Sequence, residues 1–378
     1  MKIVAAPNAF KGCMDAMQAA EAMKLGILAA APLCEAICVP VSDGGDGLTE
    51  IMVEVLGGTL LENRVRGPRF EELTSSFCLA GDLAVIEMAR ASGLVLLARE
   101  QRDPTKTTTY GTGELVGAAL DAGARRIVVG IGGSATCDGG IGMASALGYR
   151  FLSGSGKAIE PIGGNLHLIK SIDRGGVDPR LEEVIVEAVC DVTNPFAGET
   201  GASYVYSPQK GATEEQVRNL DYGLRHLADV IERDLGLDVR YIPGAGAAGG
   251  LGGGLHAFLG AELKKGIDLV IEMVGLKEKI RGADLVLTAE GQIDFQTKYD
   301  KGPAGVARAA KEQGVPCIAL CGGVGRKIDE LYDIGMTAVF SLCKGPQSLE
   351  SAMEDGFALL THQAEQVVRA FMAGRAKG

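Results

Sequence analysis

Carboxylate side chains follow several predicted strands of this sequence, in loops that also contain glycines or a tight turn. These loops carry Asp43 and Asp46, Asp138, Asp191, and Glu290 with Asp294. A single Asp in a glycine turn usually only stabilises that turn. Because the loops that follow parallel strands meet at one edge of a sheet, however, several such carboxylates are expected to converge. Converging carboxylates suit a hard divalent cation and a base that accepts a proton.

The glycine-rich stretch at residues 130–143 has the features of a site for phosphate oxygens. A predicted buried strand, 126–131, leads into Gly132, Gly133 and Ser134, and a short apolar helix is predicted from about Ile141. This order of strand, glycine loop and helix points backbone N–H groups and a helix N-terminus at an anion.

Three lysines, Lys11, Lys210 and Lys301, flank these loops. Carboxylates, a bound Mg²⁺, lysines and glycine loops together suit phosphoryl transfer, in which positioning and charge neutralisation provide most of the catalysis. The sequence therefore favours this class of chemistry.

The overall composition narrows the class of protein. The chain has 378 residues and a net charge of −11, which argues against nucleic acid as a partner and means that local cations must attract any anionic ligand. No apolar run reaches the ~20 residues of a membrane span. The nine cysteines include no CxxC pair, so we expect reduced thiols in a cytoplasmic enzyme.

The order of the predicted elements indicates an α/β fold. Both ends of the chain show strands and helices in alternation, which is typical of a parallel sheet. Short strands joined by turns interrupt this alternation at 60–65, 75–79 and 84–88. We therefore predict a discontinuous Rossmann-like parallel-sheet domain from residues 1–60 and 280–378, and an inserted mixed α/β domain at 61–279.

Two further segments carry specific expectations. The glycine-rich run at 243–255 is predicted to be a tightly packed or ligand-facing loop, with a Gly/Ala linker as the alternative. The last helix is predicted to run without a break over 348–372.

Some nucleotide-binding motifs are absent. Residues 154–158 lack the spacing of a P-loop, and the protein-kinase signatures are missing. Gly130, Gly132 and Ala135 fit a degenerate dinucleotide fingerprint, but Arg150 stands where the ribose-binding acid is required. An NAD-dependent dehydrogenase of small hydroxyacids is thus the weaker enzymatic alternative.

Eight segments together make the sequence resemble the class I glycerate kinases, bacterial enzymes that phosphorylate D-glycerate with ATP. The segments are APNAFKG (6–12), VSDGGDG (41–47), TTYGTGEL (108–115), GIGGSATCDGGIGM (130–143), CDVTNPFAG (190–198), PQKGAT (208–213), PGAGAAGGLGGGL (243–255) and AEGQIDFQT (289–297). The resemblance spans essentially the whole chain. It implies two α/β domains with the active site in the cleft between them, dependence on ATP and Mg²⁺, and 2-phosphoglycerate as the usual product.

The resemblance suggests roles for the glycine loop and the lysines. Gly132, Gly133 and Ser134 would hold phosphate oxygens. Lys210, as a cofactor-binding residue, and Lys11, as a catalytic residue, would neutralise the glycerate carboxylate or the transferring phosphoryl group.

The carboxylates receive the remaining roles. Asp191 is the first candidate for activating the substrate hydroxyl, and Asp43 is the second. Glu290 and Asp294 would bind Mg²⁺ directly or through water. A homodimer is compatible with this interpretation, whereas nucleic acid and membranes are not expected as partners.

Several positions depart from the pattern of the family. Asn8 stands where an aspartate is usual, so this residue receives no role as a base or as a charged metal ligand. Gln292 and Phe295 replace an arginine and a glycine of the usual late loop. The non-enzymatic alternative is a regulator that binds glycerate without turnover, which would be favoured if the carboxylates did not converge.

Overall fold

The computed structural model describes residues 1–42, 47–298 and 301–375. The chain forms two compact units. The first combines Met1–Asp43 with Gly266–Gly378, and the second is Gly44–Lys265. The predicted domain boundaries, near residues 60 and 280, stay a prediction.

The first unit is built from both ends of the chain. Its N-terminal elements are β1 (Lys2–Pro7), α1 (Ala16–Ala30) and β2 (Glu35–Cys38).

The second unit contains the next elements in chain order. They are α2 (Leu48–Leu56), β3 (Thr59–Arg66), β4 (Glu72–Ala80), β5 (Leu83–Glu87), α3 (Ala89–Ser92), α4 (Tyr110–Asp121), β6 (Arg126–Gly130), α5 (Ile141–Ala146), β7 (Arg150–Leu152), β8 (Ser171–Asp173), β9 (Ile185–Val189), α6 (Ala202–Tyr206), α7 (Glu214–Leu235), α8 (Ala247–Leu259) and β10 (Glu262–Lys264).

The chain then returns to the first unit. The elements there are α9 (Gly266–Met273), α10 (Leu276–Ile280), β11 (Leu285–Ile293), α11 (Gly302–Glu312), β12 (Cys317–Val324), α12 (Asp329–Asp333), β13 (Met336–Ser341), α13 (Leu349–Glu354) and α14 (Gly356–Arg375).

The sheet of the first unit is parallel throughout its described strands. The strand order is β13-β12-β11-β1-β2, and Val4 of the central β1 pairs with Val286 of β11 and with Ile37 of β2. Residues 3–6 of β1 are fully buried, since helices cover both faces of a parallel sheet. The predicted parallel sheet that joins both ends of the chain is confirmed.

The larger sheet of the second unit is mixed. Its order is β10-β9-β6-β5-β4-β3, in which β3, β4 and β5 pair antiparallel and the remaining neighbours pair parallel. A separate antiparallel pair joins β7 and β8. This arrangement confirms the α/β fold class and the short strands predicted at 60–65, 75–79 and 84–88.

One segment differs from its prediction, and a second differs in part. The single helix predicted over 348–372 is two helices, and Gly356 begins the second one, where a Cβ atom would lie 2.4 Å from the Cys13 sulfur. The run at 243–255 is helical only in part, since α8 begins at Ala247. Its predicted tight packing is confirmed, because a Cβ atom on Gly249 would lie 2.0 Å from the Thr136 carbonyl oxygen. Ala248, Gly249 and Gly250 have positive φ and kink this helix.

Helices α1 and α14 approach each other closely at a glycine. A Cβ atom on Gly26 would lie 2.2 Å from the carbonyl oxygen of Thr361 and 2.8 Å from the Cβ atom of Ala364. The buried stripe of α1, which includes Met23 and Ile27, packs in the same hydrophobic core as Leu360. The absence of a side chain at residue 26 thus sets the distance between the two helices.

We expect Gly26→Ala to lower the free energy of unfolding of the first unit by ~1–3 kcal/mol, because the new methyl group must push α14 away. Gly117→Ala is the matched control. This residue also lies within a helix, but a Cβ atom there would meet nothing closer than 3.9 Å, so alanine should stabilise by ~0.5–1 kcal/mol. Differential scanning calorimetry of both variants checks the prediction, and equal effects of the same sign would contradict it.

Candidate functional site

The glycine loop connects β6 to α5 in the second unit. Gly133, Gly139 and Gly140 have φ values of +72°, +60° and +79°, a backbone conformation that side chains rarely adopt. The loop is also held by its neighbour in the fold, because the Leu94 amide donates to the Gly133 carbonyl at 2.8 Å. Gly132 and Gly133 remain exposed, while Ser134 is buried. The loop therefore combines a fixed backbone with an accessible surface.

Asp138 lies in this loop, is fully buried and holds the loop through hydrogen bonds. Its carboxylate accepts hydrogen bonds from the amide and the hydroxyl of Thr109, at 2.7 and 2.8 Å. It also accepts from the amides of Gly140 and Gly142, both at 3.2 Å. Burial raises the pKa of Asp138, and these hydrogen bonds oppose the rise. These partners all lie inside the protein, so Asp138 organises the loop and is not available to a ligand.

Lys210 fastens the loop from a third segment of the chain. It ends a short 3₁₀ turn, Pro208–Lys210, and is only 2 % exposed. Its Nζ atom donates to the Ser134 hydroxyl and to the Thr136 carbonyl, both at 2.7 Å. Burial lowers the pKa of Lys210 to about 8, although nearby Cys137 and Asp138 act in the opposite direction. The lysine thus places a positive charge directly behind the glycine loop.

A cavity of about 460 Å³ opens beside the loop, within the second unit. It brings together five residues that the sequence predicted for the site: Gly132, Gly133, Ser134, Asp191 and Lys210. β6 and β9 place the glycine loop and Asp191 there, because Gly130 and Val189 are paired neighbours at the ends of these two parallel strands.

Asp191 follows β9 and is exposed. The residue before it is fixed to the sheet, because the Cys190 amide donates to the Lys264 carbonyl at 2.8 Å, and the Cys190 thiol donates to the Val192 carbonyl at 3.2 Å. Burial raises the pKa of Cys190, so this thiol is a poor nucleophile. Asp191 therefore lies on a constrained segment and lines the cavity.

Lys11, Glu290 and Asp294 belong to the first unit. Lys11 is exposed in a turn, and Glu290 is half-buried on β11. One carboxylate oxygen of Asp294 accepts a hydrogen bond from the backbone N–H of Gln296 at 2.8 Å. The side-chain nitrogen of Gln292 lies 3.5 Å from the other oxygen. Asp43 lies outside the described residues. Within residues 1–42, 47–298 and 301–375, no three His, Cys, Asp or Glu side chains group around a common metal position.

Sequence reasoning missed several residues that line the cavity, among them Leu94, Tyr206, Gln209 and Ala248. Gln209 adjoins Lys210 inside a segment that carries the resemblance, and Ala248 belongs to the glycine-rich run, so the sequence does contain a signal for both. Leu94 and Tyr206 lie outside the segments that carry the resemblance, and only the fold brings them to the site.

A family model described as the glycerate kinase family matches residues 3–372. The chain belongs to the glycerate kinase family. This membership confirms the predicted family and the predicted enzyme class, an ATP-dependent phosphotransferase, and it removes the dehydrogenase alternative.

Relatives in the glycerate kinase family match along nearly their full length. A glycerate kinase of Halalkalibacterium halodurans is 47 % identical over 367 residues, which cover 97 % of each chain. A glycerate 2-kinase of Escherichia coli K12 is 44 % identical and covers 94 % of each chain. The crystal structure of a protein described as glycerate kinase 2 from Salmonella typhimurium LT2 superimposes with a TM-score of 0.91 at 42 % identity. It covers 100 % of this chain and 99 % of that one.

No helix in the part of the chain that the structure describes has the length and apolar character needed to cross a membrane.

The shifted pKa of Lys210 has a consequence for stability. The unfolded chain keeps an ordinary lysine pKa near 10.4, so between about pH 8 and pH 10 it binds a proton that the folded chain has lost. The free energy of unfolding therefore rises with pH through this group. Lys210→Met cannot titrate at this position. Relative to this variant, the free energy of unfolding of the natural protein should rise by ~1–3 kcal/mol from about pH 7 to about pH 10. Urea unfolding of both proteins measures the difference, and a constant difference would show that the lysine keeps its ordinary pKa.

Proposed function

We propose that this enzyme transfers the γ-phosphoryl group of ATP to a hydroxyl of D-glycerate, that Mg²⁺ assists the transfer, and that the product is 2-phosphoglycerate. The observation that carries the proposal is the single cavity lined by the glycine loop, Lys210 and Asp191, in a chain of the glycerate kinase family. The relative from Escherichia coli is named a glycerate 2-kinase, which favours the 2-phosphate as product.

The glycine loop and Lys210 would bind the phosphates. Exposed amides at Gly132 and Gly133 can donate to phosphate oxygens without interference from side chains. The Lys210 ammonium has three N–H donors. Two of them donate to the Ser134 hydroxyl and the Thr136 carbonyl, so the third can donate to a ligand. Phosphoryl transfer depends on such positioning and charge neutralisation more than on covalent chemistry.

Asp191 would act as the base. Its carboxylate lines the same cavity as the glycine loop, on a segment fixed by Cys190. A carboxylate beside the attacking hydroxyl can accept its proton as the phosphoryl group moves. Asp43 remains the second candidate for this role, and Lys11 remains the candidate for neutralising the glycerate carboxylate.

Glu290 and Asp294 would hold Mg²⁺. The ion usually keeps several water ligands and takes one or two protein carboxylates together with substrate phosphates. Glu290 on β11 and Asp294 directly after it fit such a sparse site, although the Gln296 amide already engages one Asp294 oxygen. When bound, the ion neutralises charge on the phosphates.

Two broader expectations belong to the same proposal. All nine cysteines are unpaired, which supports a reducing, cytoplasmic location. The predicted homodimer and the predicted active site between two domains stay predictions.

Phosphorus NMR of the purified protein with ATP, Mg²⁺ and D-glycerate tests the proposed function. We expect ADP and 2-phosphoglycerate to appear together. A 3-phosphoglycerate signal would correct the product, while glycerate binding without turnover would favour the regulator alternative.

We expect Asp191→Asn to lower kcat by ~10²–10⁴-fold, because the amide cannot accept the hydroxyl proton. The KM for glycerate and the melting temperature should change much less. Asp82→Asn, at an exposed turn before β5, is the control and should retain normal kcat. If Asp191 only stabilises its turn, steady-state assays will show near-normal kcat and the melting temperature will fall instead.

We expect Asp294→Ala to raise the Mg²⁺ concentration needed for half-maximal rate, because the site loses one of its two carboxylates. Asp329→Ala removes an exposed carboxylate from the same unit and should leave the metal titration unchanged. Titrating activity against Mg²⁺ at fixed ATP compares the variants. A normal titration for Asp294→Ala would exclude this residue from the metal site.

A further inference from the structure

The cavity beside the glycine loop is much larger than glycerate requires. Its volume of about 460 Å³ lies within the ~300–1,000 Å³ of pockets that enclose drug-sized ligands. Glycerate is a three-carbon acid and would leave most of this space filled with water. ATP, the larger of the two proposed substrates, matches the volume of this cavity better than glycerate does.

The walls of the cavity are mainly apolar. Eight of its fourteen lining residues carry aliphatic, aromatic or thiol side chains. They are Leu94, Ile131, Val189, Cys190, Val192, Tyr206, Ala247 and Ala248. The glycine loop and Lys210 provide the part that suits phosphate, whereas these walls offer little to a small, highly polar acid. A ligand with a flat apolar portion and an anionic portion fits both parts.

Tyr206 lines this cavity, and its side chain is held in a fixed position. It ends α6 and is half-buried, and its hydroxyl donates to the Asn194 side-chain oxygen at 2.5 Å. Asn194 is itself held, because its amide donates to the Thr200 carbonyl at 2.8 Å. The ring is therefore oriented before any ligand binds, which lowers the entropy cost of stacking against it.

We propose that the apolar part of this cavity is the subsite for the purine base of the nucleotide, and that Tyr206 is the aromatic surface against which the base packs. The proposal rests on the proposed function, which places the phosphates of the same nucleotide at the glycine loop and Lys210. It assigns to Tyr206 a role in nucleotide affinity that is separate from the reaction with glycerate.

Calorimetric titration with ADP tests the proposal without turnover. Stacking of a base on an aromatic side chain predicts a ~5- to 150-fold increase in the Kd of ADP for Tyr206→Ala. Tyr206→Phe keeps the ring and should bind ADP within about threefold of the natural protein. Tyr204→Ala is the matched control, because Tyr204 lies on the same helix but does not line the cavity. It should bind ADP normally.

A second variant keeps the test valid if Tyr206→Ala does not fold, which circular dichroism will show. Val192 lines the same cavity and is 37 % exposed, so Val192→Ala spares the core. The smaller apolar contact predicts a ~2- to 10-fold increase in the Kd of ADP.

The outcomes separate this proposal from the proposed function. Unchanged ADP affinity in folded Tyr206→Ala and Val192→Ala overturns the base subsite. A raised KM for glycerate with normal ADP binding in these variants also overturns it, and assigns the cavity to glycerate. The proposed function instead fails if the natural protein binds ADP but forms no phosphoglycerate in the NMR experiment.

Discussion

The hydrogen bonds of the buried Asp138 carboxylate hold the glycine loop in place, and the cavity beside the loop depends on them. A carboxylate without hydrogen bonds would be very costly to bury, so its contacts with Thr109, Gly140 and Gly142 must form together. They join the start of α4 to the start of α5 and so fix the exit of the glycine loop. Lys210 fixes the entrance through Ser134. A loop held at both ends keeps its exposed glycines in one conformation, which is what binding an anion through backbone amides requires.

Local sequence signals account for most of the fold and for the position of the cavity. Apolar runs such as 127–129 predicted buried strands, and the glycines after them predicted the loops. Parallel pairing places the ends of β6 and β9 side by side, which is why the sequence alone could assign Asp191 and the glycine loop to one site. These inferences needed only periodicity and the geometry of a sheet.

Burial and contacts between distant segments could not be predicted. Asp138 and Asp191 both follow strands in similar loops, yet Asp138 is buried and Asp191 is exposed, because only Asp138 meets the amide and hydroxyl of Thr109. The run at 243–255 was similarly ambiguous. A Cβ atom on Gly253 would lie 2.5 Å from the Phe196 ring, and one on Gly254 would lie 2.5 Å from the Gly139 carbonyl. Glycines there permit close packing within a helix as well as turns, and sequence alone does not distinguish the two uses.

The chain has a net charge of −11, yet its proposed ligand is an anion. The buried Lys210 explains how both can hold. Acidic side chains on the surface act through water and salt, so their repulsion is weakened beyond about 8–10 Å. Lys210 is buried behind the loop, where the lower dielectric strengthens its attraction for a phosphate in the cavity. Burial also lowers its pKa to about 8, which leaves the ammonium mostly charged near neutral pH. One buried cation close to the ligand can therefore outweigh many distant surface charges, and overall charge is a poor guide to what this cavity binds.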